Sequence, residues 1–244
     1  DLSREEIAYK DLPHQLNVED PGYAEYVAGQ LEIFMDENRL ERSRLLGVGI
    51  TLAGIILPEE QTVFYAPTLY IRNVSLKKLI EAIPYPVFAE NDASSGGFAE
   101  WFGSNERKSM VFLSLADGVG GAVLGNGDQY KGDNYRSGEF GHMCVEWHGR
   151  LCACGKRGCL ETKISFQALQ EKYRQSGRGA TAFDTMEQLG PVLRTPGMEQ
   201  LFDEETDLFA RMIVNSLSFL GKEHVVLCGK LLSDAGVRER LVRA

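Results

Sequence analysis

The sequence has no uninterrupted apolar run near the roughly 18–20 residues that span a bilayer, and no leader pattern of a charged stretch followed by an apolar one opens it. Nothing in it therefore reads as a membrane helix, and no membrane partner is expected. It also lacks a basic excess: 26 Lys and Arg stand against 35 Asp and Glu, a net charge of −9. Gripping phosphate needs a concentrated basic surface, so this stretch is not itself expected to hold nucleic acid, although a binding module could be attached elsewhere. There is no low-complexity tract and no short repeat. A disulfide framework is missing as well, because the five cysteines are odd in number and four of them crowd into residues 144–159. Clustered spacing of that kind in a chain of this size reads as metal ligation in a reducing compartment, here the cytoplasm.

What is present suits a globular protein with one large core or two smaller ones: 244 residues, 43% hydrophobic and 25% charged. Apolar positions recur at helical spacing over residues 22–39, and "LLGVGITLAGIIL" (45–57) is a buried strand with the loop after it. "SLKKLIEAI" (75–83) is a helix capped by Ser75, "PVFAEND" (86–92) a short strand, and "ASSGGFAEWFG" the helix that follows. "SMVFLSLADGVGGAVLGNG" (109–127) gives two strands around a glycine-rich turn. Helices follow near 164–174 and 206–221, then a buried strand at 224–228 carrying Cys228 as a core residue, and a last helix. Strands alternating with helices imply an α/β architecture with ligands where strands end and helices begin. The best domain junction is Asn91–Asp92, giving a smaller domain over 1–91 and a larger one over 92–244. "DLSREEIAYKDLP" suggests a turn and a short strand entered partway through a hairpin, so the protein is expected to continue beyond both ends.

His142, Cys152, Cys154 and Cys159 form H-x9-C-x-C-x4-C. Thiolates with one imidazole are a common tetrahedral set for structural zinc, and Gly155 and Gly158 let the backbone turn tightly beside the sulfurs. The plainer alternative is a group of small buried hydrophobes. Cys144, two residues after His142, is left out of the set, and His148 is a weaker competitor for the histidine position. Four protein ligands leave no open coordination site, so the metal would fix a loop.

"GEFGHM" followed by "CACGKRGCLE" resembles the signature of the ROK family of bacterial repressors and sugar kinases, as do "AEND" (89–92) and "LADGVGGAVLGNGDQYKGDNYRSGEFGH" (115–142). The resemblance implies a two-domain, actin-like (ribonuclease-H-like) fold with a sugar cleft between the domains. By motif, Asn91, Asp92, Glu139, His142 and Glu161 would bind a monosaccharide, with Gly54 beside it, although Ala53 replaces the family's proline there. His142 could bind zinc through one ring nitrogen and offer the other to a hydroxyl. Taken alone, Asp92 could simply cap a helix, and Glu139 or Glu161 could be solvated surface carboxylates.

Three parts of the family pattern bear on kinase against sensor. A kinase must hold ATP and Mg²⁺, with Asp92 as catalytic base; the family's Asp-x-Gly-Gly-Thr phosphate motif would lie just before Asp1, so its absence from this sequence does not separate the two. The second phosphate loop, normally Gly-Thr-Gly-x-Gly, is degenerate as "ADGVGG", where Gly118, Gly120 and Gly121 remain but Asp117 puts an anion against a polyphosphate. Lys230 stands where kinases have a late glycine. The expected function is therefore the sugar-sensing effector domain of a transcriptional regulator, with DNA bound through a helix-turn-helix module outside this sequence. An ATP-dependent sugar kinase is the alternative. The family's habit implies a homodimer or homotetramer.

Overall fold

In the computed structural model the described residues are 5–13, 17–176, 185–222 and 224–244. The chain divides into two compact units, Asp1–Ser95 and Gly96–Ala244.

In the first unit, β1 (Val48–Leu52) pairs in parallel with β5 (Val87–Asn91), in a register that sets Leu52 opposite Asn91. Both strands thus end at the same level, where an α/β sheet presents ligand-binding loops. Between them, β2 (Ile55–Leu57), β3 (Thr62–Ala66) and β4 (Ile71–Ser75) form an antiparallel meander. Ile56, Val63, Ala66, Leu76, Leu79 and Ile83 make the core. Val27, Ala28 and Leu31 of α1 (Tyr23–Glu37) pack against that core, and Leu79 belongs to α2 (Lys77–Ala82). The helix expected from Ser75 starts at Lys77, because Ser75 ends β4; its hydroxyl still accepts from the Lys77 amide at 3.3 Å. The strand expected in the first residues is corrected: 5–13 form no regular element. Ile7 and Tyr9 remain 66% and 71% exposed, so no apolar face is buried to fix a strand.

The division between units falls inside α3 (Asp92–Gly103). The second unit is built on a four-stranded sheet in the order β8-β7-β6-β9: β6 (Met110–Leu115), β7 (Val119–Gly125), β8 (Asp128–Tyr130) and β9 (His224–Cys228). β6 and β7 are an antiparallel hairpin, and β6 and β9 run parallel. Leu113, Leu115, Leu160, Ile164, Leu169, Phe202 and Phe209 anchor its core, with helices α4 (Glu161–Ile164), α5 (Phe166–Gln175), α6 (Met186–Leu193), α7 (Met198–Leu220) and α8 (Ala235–Arg243) around the sheet. Phe202 and Phe209 are completely buried, each contributing about 2–3 kcal/mol by transfer from water. α7 begins at Met198 rather than near 206, since Met198 and Phe202 continue the buried face through an acidic stretch. Cys228 is corrected from core to exposed: it lies at the end of β9, the edge strand.

Candidate functional site

In the first unit, β5 runs directly into α3, and the join is made by one side chain. Asn91 Oδ1 accepts from the Ser94 amide at 2.8 Å, so Asn91 is the helix cap and Asp92 is the first helical residue. That corrects the reading of Asp92 as a cap, the helix starting one residue earlier than a capping Asp92 requires. Asn91 Nδ2 donates to the Gly54 carbonyl at 3.0 Å and to Asp92 Oδ1 at 3.1 Å. Gly54 has φ +115, and a Cβ there would lie 2.5 Å from the Tyr65 carbonyl, so only glycine fits. Asp92 Oδ1 also accepts from the Ala93 amide at 2.8 Å, leaving Oδ2 without a partner among the described residues. The pair is thus one pinned oxygen and one open oxygen at the end of a strand.

In the second unit, the tip of the β6–β7 hairpin meets the start of α4. The Val119 amide donates to Glu161 Oε2 at 3.0 Å, and the Phe166 amide donates to the Ala116 carbonyl at 2.9 Å. Gly118 faces the same carboxylate: a Cβ would stand 2.7 Å from Glu161 Oε2. Gly121 gives way to Phe140, whose ring carbon would lie 2.6 Å from an added Cβ. Gly120 pairs with Ser114 across the hairpin, and Asp117 is exposed at its tip.

Between these elements and α4 runs the cysteine loop. Gly155 and Gly158 both take positive φ, +87 and +68, and a Cβ on Gly158 would collide with the Glu146 carbonyl at 1.6 Å. The loop therefore folds as its glycines require. It brings His142, Cys152, Cys154 and Cys159 together, with one donor atom from each within 4.8 Å of the others. Cys152 Sγ is 3.6 Å from His142 Nδ1, and Cys154 Sγ is 3.6 Å from Cys159 Sγ. Donors about 2.0–2.3 Å from a tetrahedral zinc stand about 3.5–3.8 Å apart, a spacing that these two pairs match, and the set of four is compatible with that ion. Burial pushes the Cys159 thiol up to about 12, with Cys154 and Cys152 adding to the effect. Burial raises the Cys152 thiol too. Gathering thiolates here needs a divalent cation to offset desolvation and mutual repulsion. Cys144 and His148 fall outside the cluster.

His142 directs Nδ1 to the sulfurs and Nε2 toward Glu139 Oε2 at 3.7 Å. Glu161 Oε1 lies 4.0 Å from Cys152 Sγ. Glu139 keeps 41% of its side-chain surface open, yet desolvation pushes its carboxyl above the usual range; His142 opposes this and Glu161 adds to it. The second unit thus sets two carboxylates and one imidazole edge beside a metal-type cluster.

The sequence matches the ROK family over residues 12–244. The chain belongs to the ROK family. The xylose repressor of Bacillus subtilis (strain 168) is 37% identical over 128 residues, which are 51% of this chain and 33% of the repressor. An N-acetylmannosamine kinase of Vibrio cholerae (El Tor Inaba N16961) is 30% identical over 203 residues, 81% of this chain and 69% of the kinase. Among solved structures, a ROK family transcriptional regulator described as a homologue of the E. coli MLC protein superposes with a TM-score of 0.74 at 21% identity, covering 90% of this chain and 58% of that one. The fold is the α/β, actin-like fold of ROK kinases and repressors. The match covers about a third of the length of that repressor.

Within this ROK chain, the structure joins Gly54 to Asn91 and Asp92 in the first unit, and Gly118 to Glu161 and the His142 cluster in the second. The sequence carried no sign of the Val119 amide or the Ala116 carbonyl, because a backbone group leaves no residue type to recognise. Gly158 did leave one, as a glycine beside a cysteine. No helix among the described residues is long and apolar enough to cross a membrane.

Proposed function

We propose that this chain is the sugar-sensing part of a ROK-family transcriptional regulator. Asn91 and Asp92, with Gly54 beside them, and Glu139, His142 and Glu161 bind a monosaccharide. Carboxylates, an amide and an imidazole are the groups that pair with the donors and acceptors of sugar hydroxyls. Asp92 Oδ2 is open to accept a hydroxyl proton in a hydrogen bond, while Oδ1 is held by the Ala93 amide. His142, Cys152, Cys154 and Cys159 hold one structural zinc, which orients the imidazole when bound.

The observation that carries the choice of sensor over kinase is the β6–β7 tip. Asp117 is exposed there, where an anion opposes a polyphosphate, and the smallness of Gly118 and Gly121 is accounted for by Glu161 and Phe140. The likeness to a repressor adds support. DNA binding belongs to a helix-turn-helix module outside this acidic sequence, working in a homodimer or homotetramer in the reducing cytoplasm. A sugar that binds one conformational state better than another shifts the population, and so the operator affinity, by its differential affinity and no more.

The second reading, an ATP-dependent sugar kinase, is favoured by the match to the N-acetylmannosamine kinase along 81% of this chain. Asp92 would then take the hydroxyl proton through Oδ2, and ATP with Mg²⁺ supplies the phosphoryl group when bound. The deciding experiment measures sugar-dependent ADP formation and calorimetric binding by the full-length protein across hexoses, hexosamines and pentoses, with Asp92→Asn as control. Binding without turnover supports the sensor. Turnover that Asp92→Asn abolishes overturns it in favour of the kinase, and unchanged operator affinity with every sugar that binds overturns the regulatory step.

A further inference from the structure

Cys144 is exposed and lies outside the four-residue cluster, yet it stands directly across an antiparallel bridge from Cys159. The flanking hydrogen bonds run from the Leu160 amide to the Met143 carbonyl at 2.9 Å and from the Val145 amide to the Gly158 carbonyl at 2.8 Å. Cys144 and Cys159 are therefore a non-hydrogen-bonded pair. In such pairs the side chains share one face and come closest, with Cα atoms about 4.5 Å apart and Cβ atoms from about 4.5 Å. A disulfide needs Cα atoms about 4.4–6.8 Å apart and Cβ atoms about 3.5–4.5 Å apart. The backbone thus holds these two cysteines at the edge of bonding range, and a side-chain rotation with a small closing of the strands completes it.

The two thiols differ in access. Cys159 is completely buried beneath the loop, whereas Cys144 faces solvent and meets a small oxidant first. We propose that Cys144 is a redox partner for Cys159, and that a hydroperoxide-driven disulfide between them withdraws one donor from the metal cluster. Cys144–SH reduces the peroxide to water and becomes a sulfenic acid. The Cys159 sulfur then attacks that sulfur and the S–S bond forms as the S–O bond breaks, the Cys159 proton leaving with the oxygen as water, so two thiols lose the two electrons the peroxide gains. Only the metal's part in this rests on the zinc reading above. With three donors remaining, the loop loses its closure two residues before Glu161, and oxidation lowers sugar affinity through that carboxylate. The rival partner is Cys154, whose sulfur is 3.6 Å from that of Cys159.

The test uses the full-length reduced protein with its zinc content measured, treated with graded hydrogen peroxide. Free thiols are then blocked, disulfide-linked peptides identified by mass spectrometry, and released zinc read with a chromogenic chelator. The expected result is a Cys144–Cys159 peptide, zinc released in step with it, and recovery with dithiothreitol and zinc. Cys144→Ser and Cys144→Val are expected to lose both the cross-link and the release at the same peroxide dose. Zinc release from both variants at the wild-type rate overturns the proposal, as does a wild-type cross-link confined to Cys154–Cys159. Reduced protein without zinc that still forms the Cys144–Cys159 link overturns the zinc reading and supports the disulfide. Zinc-loaded protein that never forms it overturns the disulfide and leaves the zinc reading standing.

Discussion

A methyl group added at Gly118 would lie 2.7 Å from Glu161 Oε2, well inside the distance that real Cβ contacts keep. The backbone at Gly118 is outside the left-handed region, so alanine adds no backbone strain and the carboxylate must yield. Retreating by several tenths of an ångström stretches the 3.0 Å bond from the Val119 amide. A hydrogen bond to a charged acceptor contributes about 1.5–3 kcal/mol. Alanine returns about 0.4–1 kcal/mol by restricting the unfolded chain. Gly118→Ala should therefore cost about 1–2 kcal/mol of stability, read as a lower urea midpoint. If Glu161 grips the sugar, affinity should fall about tenfold for each 1.4 kcal/mol lost from that contact. Calorimetric titration of the folded variant measures it. Gly29→Ala is the control: it sits inside α1 with nothing within 4 Å of the added carbon, and alanine there should stabilise by about 0.5–1 kcal/mol. An unchanged sugar affinity in folded Gly118→Ala would refute Glu161 as a ligand held by the hairpin, and an unchanged midpoint would refute the contact itself.

Lys172 pairs with the buried Glu205, whose Oε2 has no partner among the described residues. Lys172→Met should cost about 3–5 kcal/mol by stranding that carboxylate, and the double variant with Glu205→Leu should recover most of it in chemical denaturation. Asp234 caps α8 by accepting from the Val237 amide at 3.0 Å, and Asp234→Ala should cost about 1 kcal/mol. Desolvation works against the Asp234 carboxylate, but the Val237 amide and Arg194 outweigh it and hold its pKa below the ordinary aspartate value. A depressed carboxyl stabilises the fold above the unfolded pKa, about 4, and loses that contribution as pH falls through the folded value. Acid titrations of stability should therefore be shallower in Asp234→Asn than in wild type. Cys152→Ser should abolish stoichiometric zinc binding and lower the thermal midpoint, read by metal analysis and calorimetry, and a midpoint unmoved by chelation would refute a structural role for the ion.

The elements that the sequence exposed were those with local cause. The 22–39 periodicity became α1, the glycine-turn pair became β6 and β7, and the H-x9-C-x-C-x4-C spacing became a cluster. β3 and β4 escaped, although "TVFYA" is rich in β-branched and aromatic residues, because short apolar runs do not distinguish meander strands from loop. In the candidate site, the residue types were legible and their partners were not. That Asn91 caps α3 while tethering Gly54 depends on a parallel register set by two strands far apart in the chain. Cys228 shows the reverse case: its apolar neighbours suggested burial, but position on an edge strand decided exposure.

The contact between the Val119 amide, Gly118 and Glu161 has a consequence for descent. It ties two stretches that lie far apart in the chain into one heritable pair. A lineage that gains a side chain at position 118 must shorten or move the carboxylate at 161, and one that shortens the carboxylate opens a gap that a methyl group at 118 can fill. Gly118→Ala with Glu161→Asp should therefore be a better protein than either change alone, so drift toward a new sugar would proceed through this pair in concert.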